Sequence, residues 1–229
     1  MNRFTRACCA FLLMMALSAP IASASEINVE SAAVSFQTVD GERIATFLHF
    51  VASSAEFTLR SPSGRYNEAT EVMTAIAQGD ERAVLTKSGE SSFEVSAATE
   101  IGISFDDETL AALGDVTFLS DELDARSDEL FVDRLSSLKA RIDALKSSIT
   151  LSDTLELIES FLANVGADDR LILLSGNVRV VREDTTMESA WMLVNEADQS
   201  EFISIADPDR KLTLTIVTQE ETSEDESQD

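Results

Sequence analysis

The chain has 229 residues, of which 42 are acidic and 17 basic, and its formal net charge is −25. Because 44% of the residues are hydrophobic, the composition excludes an intrinsically disordered protein. A chain of this length predicts one domain, or two very small ones, with a core that needs neither a disulfide nor a metal. The charge also excludes nucleic-acid binding, since phosphate contacts require clusters of Lys and Arg.

The first 24 residues have the three-part layout of a bacterial secretory signal peptide. Arg3 and Arg6 form the basic start, an uncharged apolar run extends from Ala7 to Ala19, and Ala24 ends a stretch of small residues. The apolar run is short for a membrane span, which takes about 20 residues. We therefore expect cleavage after Ala24 and a periplasmic or secreted protein.

Cleavage would remove both cysteines, because Cys8 and Cys9 lie within the signal segment. They stand at the start of its apolar run, whereas a lipoprotein cysteine follows the run. The exported chain would have 205 residues, a formal charge of −27 and no transmembrane segment. Without thiols or disulfides, it must depend on a packed core.

Strand patterns fill the chain up to residue 60. Apolar residues with mostly even spacing begin at Ile27, and Asp40-Gly41 separates two apolar runs. This arrangement predicts a β-hairpin over 27–51. A further strand is expected at 55–60, and the sequence SPSG predicts a turn at 61–64.

Two short helices are predicted in the next part of the chain. Apolar residues on one helical face, followed by Gly79, predict a helix over 67–78, with a strand as the alternative because apolar residues also alternate there. Strands are expected at 82–87 and 92–105. A second short helix is expected at 107–113, followed by a strand at 115–119.

The longest regular pattern lies at 121–149. Six apolar residues recur at alternating spacings of four and three: Phe131, Leu135, Leu138, Ile142, Leu145 and Ile149. This apolar seam predicts an amphipathic helix. Ser152 then offers the cap of a second helix ending at Gly166, so a helical hairpin is expected at about 121–165. The seam is expected to pack within the chain, with weak self-association through 131–149 as the alternative.

Strand patterns return over 170–218, with a turn at 207–211. Residues 219–229 hold six acids and no base, which predicts a disordered acidic tail. The chain is therefore predicted to form a single α+β domain over 25–218, in which an antiparallel β-sheet is interrupted by the central helical hairpin.

The only histidine is His49, which lies in an apolar run with Phe47 and Phe50. A catalytic or metal-binding histidine normally has a His or Cys partner, and this chain offers none after cleavage. We expect a structural histidine in the core or at a sheet edge, with a pH-sensitive group as the alternative.

The patterns of serine enzymes are incomplete. Ser136 and Lys139 match S-x-x-K, and Lys87, Ser88 and Gly89 form a K-S-G element. The K-S-G element precedes the S-x-x-K instead of following it, and neither S-D-N nor G-x-S-x-G occurs. Ser136 and Lys139 are therefore expected on the polar side of a helix.

Acidic pairs carry little weight in a chain with 42 acids. Asp106-Asp107-Glu108 is expected to start a helix and Asp168-Asp169 to form a turn, whereas a glycosidase needs two carboxylates in a cleft. Trp191 is expected in the core and Tyr66 is the only tyrosine, so platforms for sugars are scarce. Asp207-Pro208-Asp209 lacks the Gly and closing Glu of a calcium loop.

The sequence thus predicts no catalytic, cofactor-binding or metal-binding residue, and no cofactor. It favours an exported, acidic, non-catalytic protein that binds another envelope or secreted macromolecule, as an assembly factor or inhibitor does. The acidity has two interpretations, a basic partner or adaptation to salt. The alternative functions are a small-ligand carrier of the periplasm and a carboxylate-dependent hydrolase.

Overall fold

The computed structural model describes residues 27–89, 92–104, 107, 109–167, 169–182, 185–206 and 212–216. Within these ranges the chain forms thirteen strands and two helices. The predicted signal segment 1–24, the turn at 207–211 and the acidic tail 219–229 lie outside the described residues. The single-domain boundary of 25–218 stays a prediction.

The elements are numbered here in chain order. The strands are β1 (Asn28–Val39), β2 (Glu42–Ser53), β3 (Phe57–Asn67), β4 (Val72–Ile76), β5 (Ala83–Lys87), β6 (Phe93–Ala97), β7 (Glu100–Ser104), β8 (Thr109–Ser120), β9 (Asp124–Arg134), β10 (Arg170–Arg182), β11 (Thr185–Asn195), β12 (Phe202–Ile205) and β13 (Thr213–Ile216). The helices are α1 (Leu135–Lys146) and α2 (Ser152–Ala163).

All strand pairs are antiparallel, and the main order is β1-β2-β3-β4-β7-β8-β9-β10-β11-β12, with β13 beside β12 on β11. The sheet divides at β3, where 57–60 pair with β5 and 63–67 pair with β4. The two branches rejoin on β8, where β7 pairs with 109–113 and β6 with 117–120. Six strands therefore form a closed hydrogen-bonded circuit around the interior.

The long strands bend near their middles, which allows each of them to serve both halves of the folded-over sheet. The register shifts after Leu113 in β8 and after Ser175 in β10. Gly114 and Gly176 lie at these shifts with φ of 80° and 69°. A Cβ at Gly176 would collide with the Asp128 side chain. Such bulges bend a strand and increase its twist.

The inward side chains of β2 to β11 form one apolar core. They alternate along each strand with outward residues, as in β8, where Leu110 and Ala112 are buried and Thr109 and Ala111 are only half-buried. The largest fully buried side chains of this core include Phe50, Leu59, Leu85, Ile101, Ile103, Phe118 and Leu130.

A second apolar cluster lies between the helices and the outer face of β9 to β12. Leu138, Ile142 and Ile158 of the helices pack there on sheet residues. The sheet side is formed by Phe131, Leu171, Leu173, Trp191, Leu193 and Ile205. This part of the sheet is buried on both faces, which explains why its strands have continuous apolar runs. Neither α1 nor α2, nor any other helical stretch in the described ranges, has the length and hydropathy of a membrane span.

The predicted α+β class is wrong, because the described residues form a mainly β fold in which the helices are an outer layer. The predicted helical hairpin at about 121–165 is confined to 135–163, since β9 occupies Asp124–Arg134. Leu130, Phe131 and Val132 are buried between β8 and β10. Pairing on both sides outweighs the helical spacing of the seam.

Both short helices predicted earlier in the chain are also wrong. The segment 67–78 contains β4, the strand alternative, where Met73 and Ala75 face the core with a period of two. Of the segment 107–113, residues 109–113 belong to β8 and pair with β7. The turn predicted at 61–64 lies within β3. The hairpin predicted at Asp40-Gly41 is confirmed, with β1 and β2 paired up to Val39 and Glu42.

The opposite orientation of neighbouring side chains in β8 can be tested by mutation. Phe118 is fully buried, whereas Leu119 has 41% of its surface exposed. We expect Phe118→Ala to lower the free energy of unfolding by about 3–5 kcal/mol because it leaves a cavity. Leu119→Ala is the matched control and should cost about 1 kcal/mol or less. Equal losses in urea unfolding would contradict the assignment of faces.

Candidate functional site

The hairpin of β1 and β2 carries a group of exposed apolar side chains: Val34, Phe36, Val39, Leu48 and Val51. β1 pairs with β2 along its whole length, from the Asn28 and Ser53 pair to the Val39 and Glu42 pair. Among the described residues, no strand pairs with its other edge. The outward backbone N–H and C=O groups of a twelve-residue strand are therefore open to a partner.

Two of these side chains extend the inner apolar face of the sheet beyond the core. Val34 lies opposite Phe47 and Phe36 lies opposite Ala45, and both partners are buried. Since cross-strand partners share a face, Val34 and Phe36 continue that face, yet 52% and 57% of their surfaces remain exposed. We call Val34, Phe36 and the open edge of β1 the edge patch.

One cation accompanies the edge patch. The Arg43 guanidinium lies 4.8 Å from the centre of the Phe36 ring, and its Nη1 is 3.3 Å from Glu68 Oε1. At the same end of the hairpin, Asn67 Nδ2 donates a hydrogen bond to Glu42 Oε2 at 2.7 Å. These contacts connect this end of the hairpin to the end of β3 and to Glu68, which follows it.

The opposite edge of the sheet is built differently. It consists of β12 and β13, two four-residue strands that pair with separate parts of β11. Short strands are one way in which natural sheets limit pairing with other chains. Of the two edges of the sheet, the β1 edge is therefore the longer one.

A buried ion cluster closes the far ends of the folded-over sheet. Glu196, only 6% exposed, follows β11. Its Oε1 is 2.9 Å from Lys87 Nζ at the end of β5, and its Oε2 accepts from Arg170 Nε at the start of β10. Nearby, Ser120 Oγ donates to Gln199 Oε1 at 2.5 Å. The turn 196–200 thus joins the end of β5, in one branch of the sheet, to the start of β10 and the end of β8.

Among the described residues, two carboxyl groups have lowered pKa values. Hydrogen bonds from the Ser200 hydroxyl and backbone N–H lower the pKa of Asp198, which stabilises the turn 196–200. A hydrogen bond from Lys146 Nζ, 2.5 Å from Glu159 Oε1, lowers the pKa of Glu159 and joins the two helices. The hydrogen bonds of both carboxylates thus stabilise local structure, a turn in one case and the pairing of the helices in the other.

The structure disperses the residues considered from the sequence. His49 is exposed, with φ of 47° in the middle of β2, and so lies at an irregularity of the hairpin and outside the core. Ser136 and Lys139 are exposed on α1. Lys87 belongs to the buried ion cluster, and Ser88 and Gly89 follow it as exposed residues.

The acidic and aromatic candidates also lie apart. Asp107 is exposed beside Ser104, while Asp169 Oδ2 accepts the Gly166 N–H at 2.7 Å in a turn before β10. Asp106, Glu108, Asp168, Asp207 and Asp209 lie outside the described residues. Trp191 is buried, and Tyr66 is half-buried against the core. Within the described part of the chain, no group of three or more His, Cys, Asp or Glu could hold a metal ion.

The apolar seam is used within the chain. Phe131, Leu138 and Ile142 are buried in the second cluster, and Leu135, Leu145 and Ile149 are partly buried there. The first of these lies on β9 and the others on or after α1. Self-association through 131–149 stays a prediction.

Sequence reasoning missed both the edge patch and the buried ion cluster. The sequence predicts a strand around Phe36, but the exposure of this side chain depends on which strand lies beyond it. Glu196 and Lys87 are 109 positions apart, and the K-S-G element that contains Lys87 does not point to an ion pair. The only local sign of the ion cluster is that Glu196 is a charged residue directly after an apolar strand. Many other acids of this chain also stand next to apolar strands.

Comparison with known proteins gives no family. No protein-family model matches the chain, and no curated protein matches its sequence. Among solved structures, the chain is similar to LptH from Pseudomonas aeruginosa, described as the LptA-homologous periplasmic component of the conserved lipopolysaccharide transport device. The identity is 9%, the match covers 85% of this chain and 96% of that one, and the TM-score is 0.36. At these values the likeness supports no conclusion about this chain.

The buried ion cluster makes a prediction for stability. Glu196→Gln removes the carboxylate that Lys87 and Arg170 share, and we expect a loss of about 1–3 kcal/mol in the free energy of unfolding. Glu188→Gln is the control, because its pair with Arg179 is exposed and 3.9 Å apart; it should cost about 0.5 kcal/mol or less. Urea unfolding of both variants at neutral pH measures the difference, and equal losses would contradict it.

Proposed function

We propose that the chain is an exported, non-catalytic protein that binds another macromolecule of the cell envelope or of the secreted fraction. The partner is a polypeptide that adds a strand to β1. The single observation that carries this proposal is the edge patch: a long, open strand edge with two half-exposed apolar side chains on the face that continues the core.

Strand addition explains how such an edge gives both affinity and specificity. Backbone hydrogen bonds supply the affinity, and alternate side chains of the added strand select the partner. Val34 and Phe36 each have about half of their surface left to bury. Burial of that surface would contribute about 1 kcal/mol from each side chain.

The sequence of β1 does not protect its edge. Natural sheets shield long edges with Lys, Pro, inward charges or coverage by another element. The strand NVESAAVSFQTV contains neither Lys nor Pro, and Glu30 is its only charged residue. A long apolar edge of this kind invites association, which supports a binding function for it.

The charge of the chain favours a basic partner. The net charge is −25, and Glu30, Asp40 and Glu42 are exposed on the hairpin. Opposite charge on the partner would raise the association rate and make it fall with ionic strength. An assembly factor or an inhibitor, each of which holds another protein, would use a surface of this kind.

Export belongs to the same proposal. Cleavage after Ala24 would leave Ser25 as the first residue, only three positions before β1 begins. A carboxylate-dependent hydrolase is the alternative function. No arrangement of the described residues favours it.

The partner surface is testable with two double variants of equal charge. We expect Val34→Lys/Phe36→Lys to reduce capture of the partner from a periplasmic fraction at least tenfold, because two lysines would prevent apolar burial on the added strand. Leu48→Lys/Val51→Lys is the matched control, since these side chains are exposed on β2 and not on the edge. It should retain the partner.

Hydrogen exchange then locates the contact. In the complex with the captured partner, amides of 28–39 should exchange more slowly, because the added strand supplies acceptors for the open edge. Equal loss of capture in both double variants, or unchanged exchange over 28–39, would overturn the proposal.

A further inference from the structure

A cleft of about 270 Å³ lies on the outer face of the sheet, beside α1 and away from the edge patch. Its floor comes from β4, β7, β8 and β9, and its wall comes from α1. The residues that line it include Val72, Gly102, Ala111, Phe131, Ser137 and Arg141. We call it the Arg141 cleft.

The cleft exists because small residues occupy the outward positions on the strands that the helices do not cover. Leu173 of β10, Phe131 of β9, Ala111 of β8 and Gly102 of β7 are successive partners in one row across the sheet. Leu173 and Phe131 are large and belong to the helix-covered cluster. Ala111 and Gly102 are small, and a Cβ built on Gly102 would meet only Ala111 O, at 4.0 Å. The floor beyond Phe131 is therefore low and apolar.

Arg141 forms the cationic wall of this cleft. Its Cζ lies 3.8 Å from the centre of the Phe131 ring, which is within cation–π contact distance. Ser137 lies one turn earlier on the same flank of α1. Among the described residues Arg141 forms no ion pair, although the chain carries 42 acids. The guanidinium keeps its planar fork of donors available for a carboxylate.

The remaining polar groups lie along a second row of the floor. Ser104 and Thr109 are cross-strand partners there, and Val72 lies opposite Ser104. Asp133, two residues after Phe131 on β9, also lines the cleft. Its Oδ1 accepts the Arg134 N–H at 2.7 Å, so this carboxylate has a donor of its own. An anion would bind at the Phe131 row, beside Arg141.

We propose that the Arg141 cleft binds a small amphiphile with one carboxylate and an unbranched apolar body. The carboxylate pairs with the Arg141 guanidinium, and the body lies on Gly102 and Ala111. The volume has room for about nine water-sized groups, which corresponds to a carboxylate with roughly six to eight carbons. This inference goes beyond strand addition and does not depend on it.

Octanoate is the probe that tests the proposal, with octanamide as the neutral analogue of equal length. By calorimetry on the full mature chain, we expect octanoate to bind at least roughly tenfold more tightly than octanamide, because only octanoate forms a charge-assisted pair. Amide resonances of Gly102 and Ala111 should shift on titration, which places the ligand in this cleft.

Three variants separate the cleft from general charge effects. Arg141→Gln should abolish the preference for octanoate, whereas Lys139→Gln should keep it, because Lys139 is an exposed cation of the same helix. Gly102→Val should weaken both ligands at least roughly tenfold by filling the floor, and a β-branched residue is compatible with a strand. Thermal unfolding confirms that each variant is folded.

The binding preferences of the variants either support or contradict the Arg141 cleft as the site. Octanoate preference that is lost in Arg141→Gln and kept in Lys139→Gln supports the site. Equal binding of octanoate and octanamide, equal effects of the two charge variants, or no binding of octanoate at millimolar concentration would overturn it. None of these results changes capture of a protein partner by the edge patch, so the two proposals fail separately.

Discussion

The fold depends on one constraint: a long antiparallel sheet with an apolar inner face must bend over itself to remove that face from water. The bends occur at mid-strand irregularities, where Gly114 and Gly176 adopt positive φ and the register shifts. Because β3 and β8 each serve both branches, bending also closes the hydrogen-bonded circuit. The Lys87 and Glu196 pair then connects strand ends that the bend brings together.

Both candidate sites are places where this burial stops. The inner face is covered as far as β2, and β1 extends past the cover with Val34 and Phe36 exposed. The outer face is covered by the helices over β9 to β12 and is left open beyond Phe131. One boundary is a strand edge with free backbone groups, which suits a polypeptide. The other is a shallow cleft with a cationic wall, which suits a small anion.

The sequence predicts those elements that local chemistry determines. Its predictions are wrong where pairing with distant strands determines the secondary structure. Asp40-Gly41 between apolar runs sufficed for the first hairpin, since both residues accept positive φ. The seam from Phe131 to Ile149 has helical spacing, but Phe131 lies on β9, which extends to Arg134 because it pairs with β8 and β10. For the sites, exposure of Phe36 and the contact of Arg141 with Phe131 depend on neighbours that no local pattern specifies. The same holds for Glu196, whose partner Lys87 is remote in sequence.

An acidic chain can still bind an anion, because screening limits the range of its charge. At physiological ionic strength the Debye length is about 8 Å, so acids beyond that distance contribute weakly at the Arg141 cleft. Asp133 is the acid that lines the cleft itself, and its Oδ1 accepts the Arg134 N–H. The Arg141 guanidinium in contact with the buried Phe131 ring is the cation at the position where the anion would bind. The distributed charge acts instead during encounter, when a large basic partner experiences many acids together. The net charge thus bears on the association of the edge patch with a protein, while the local cation governs the cleft.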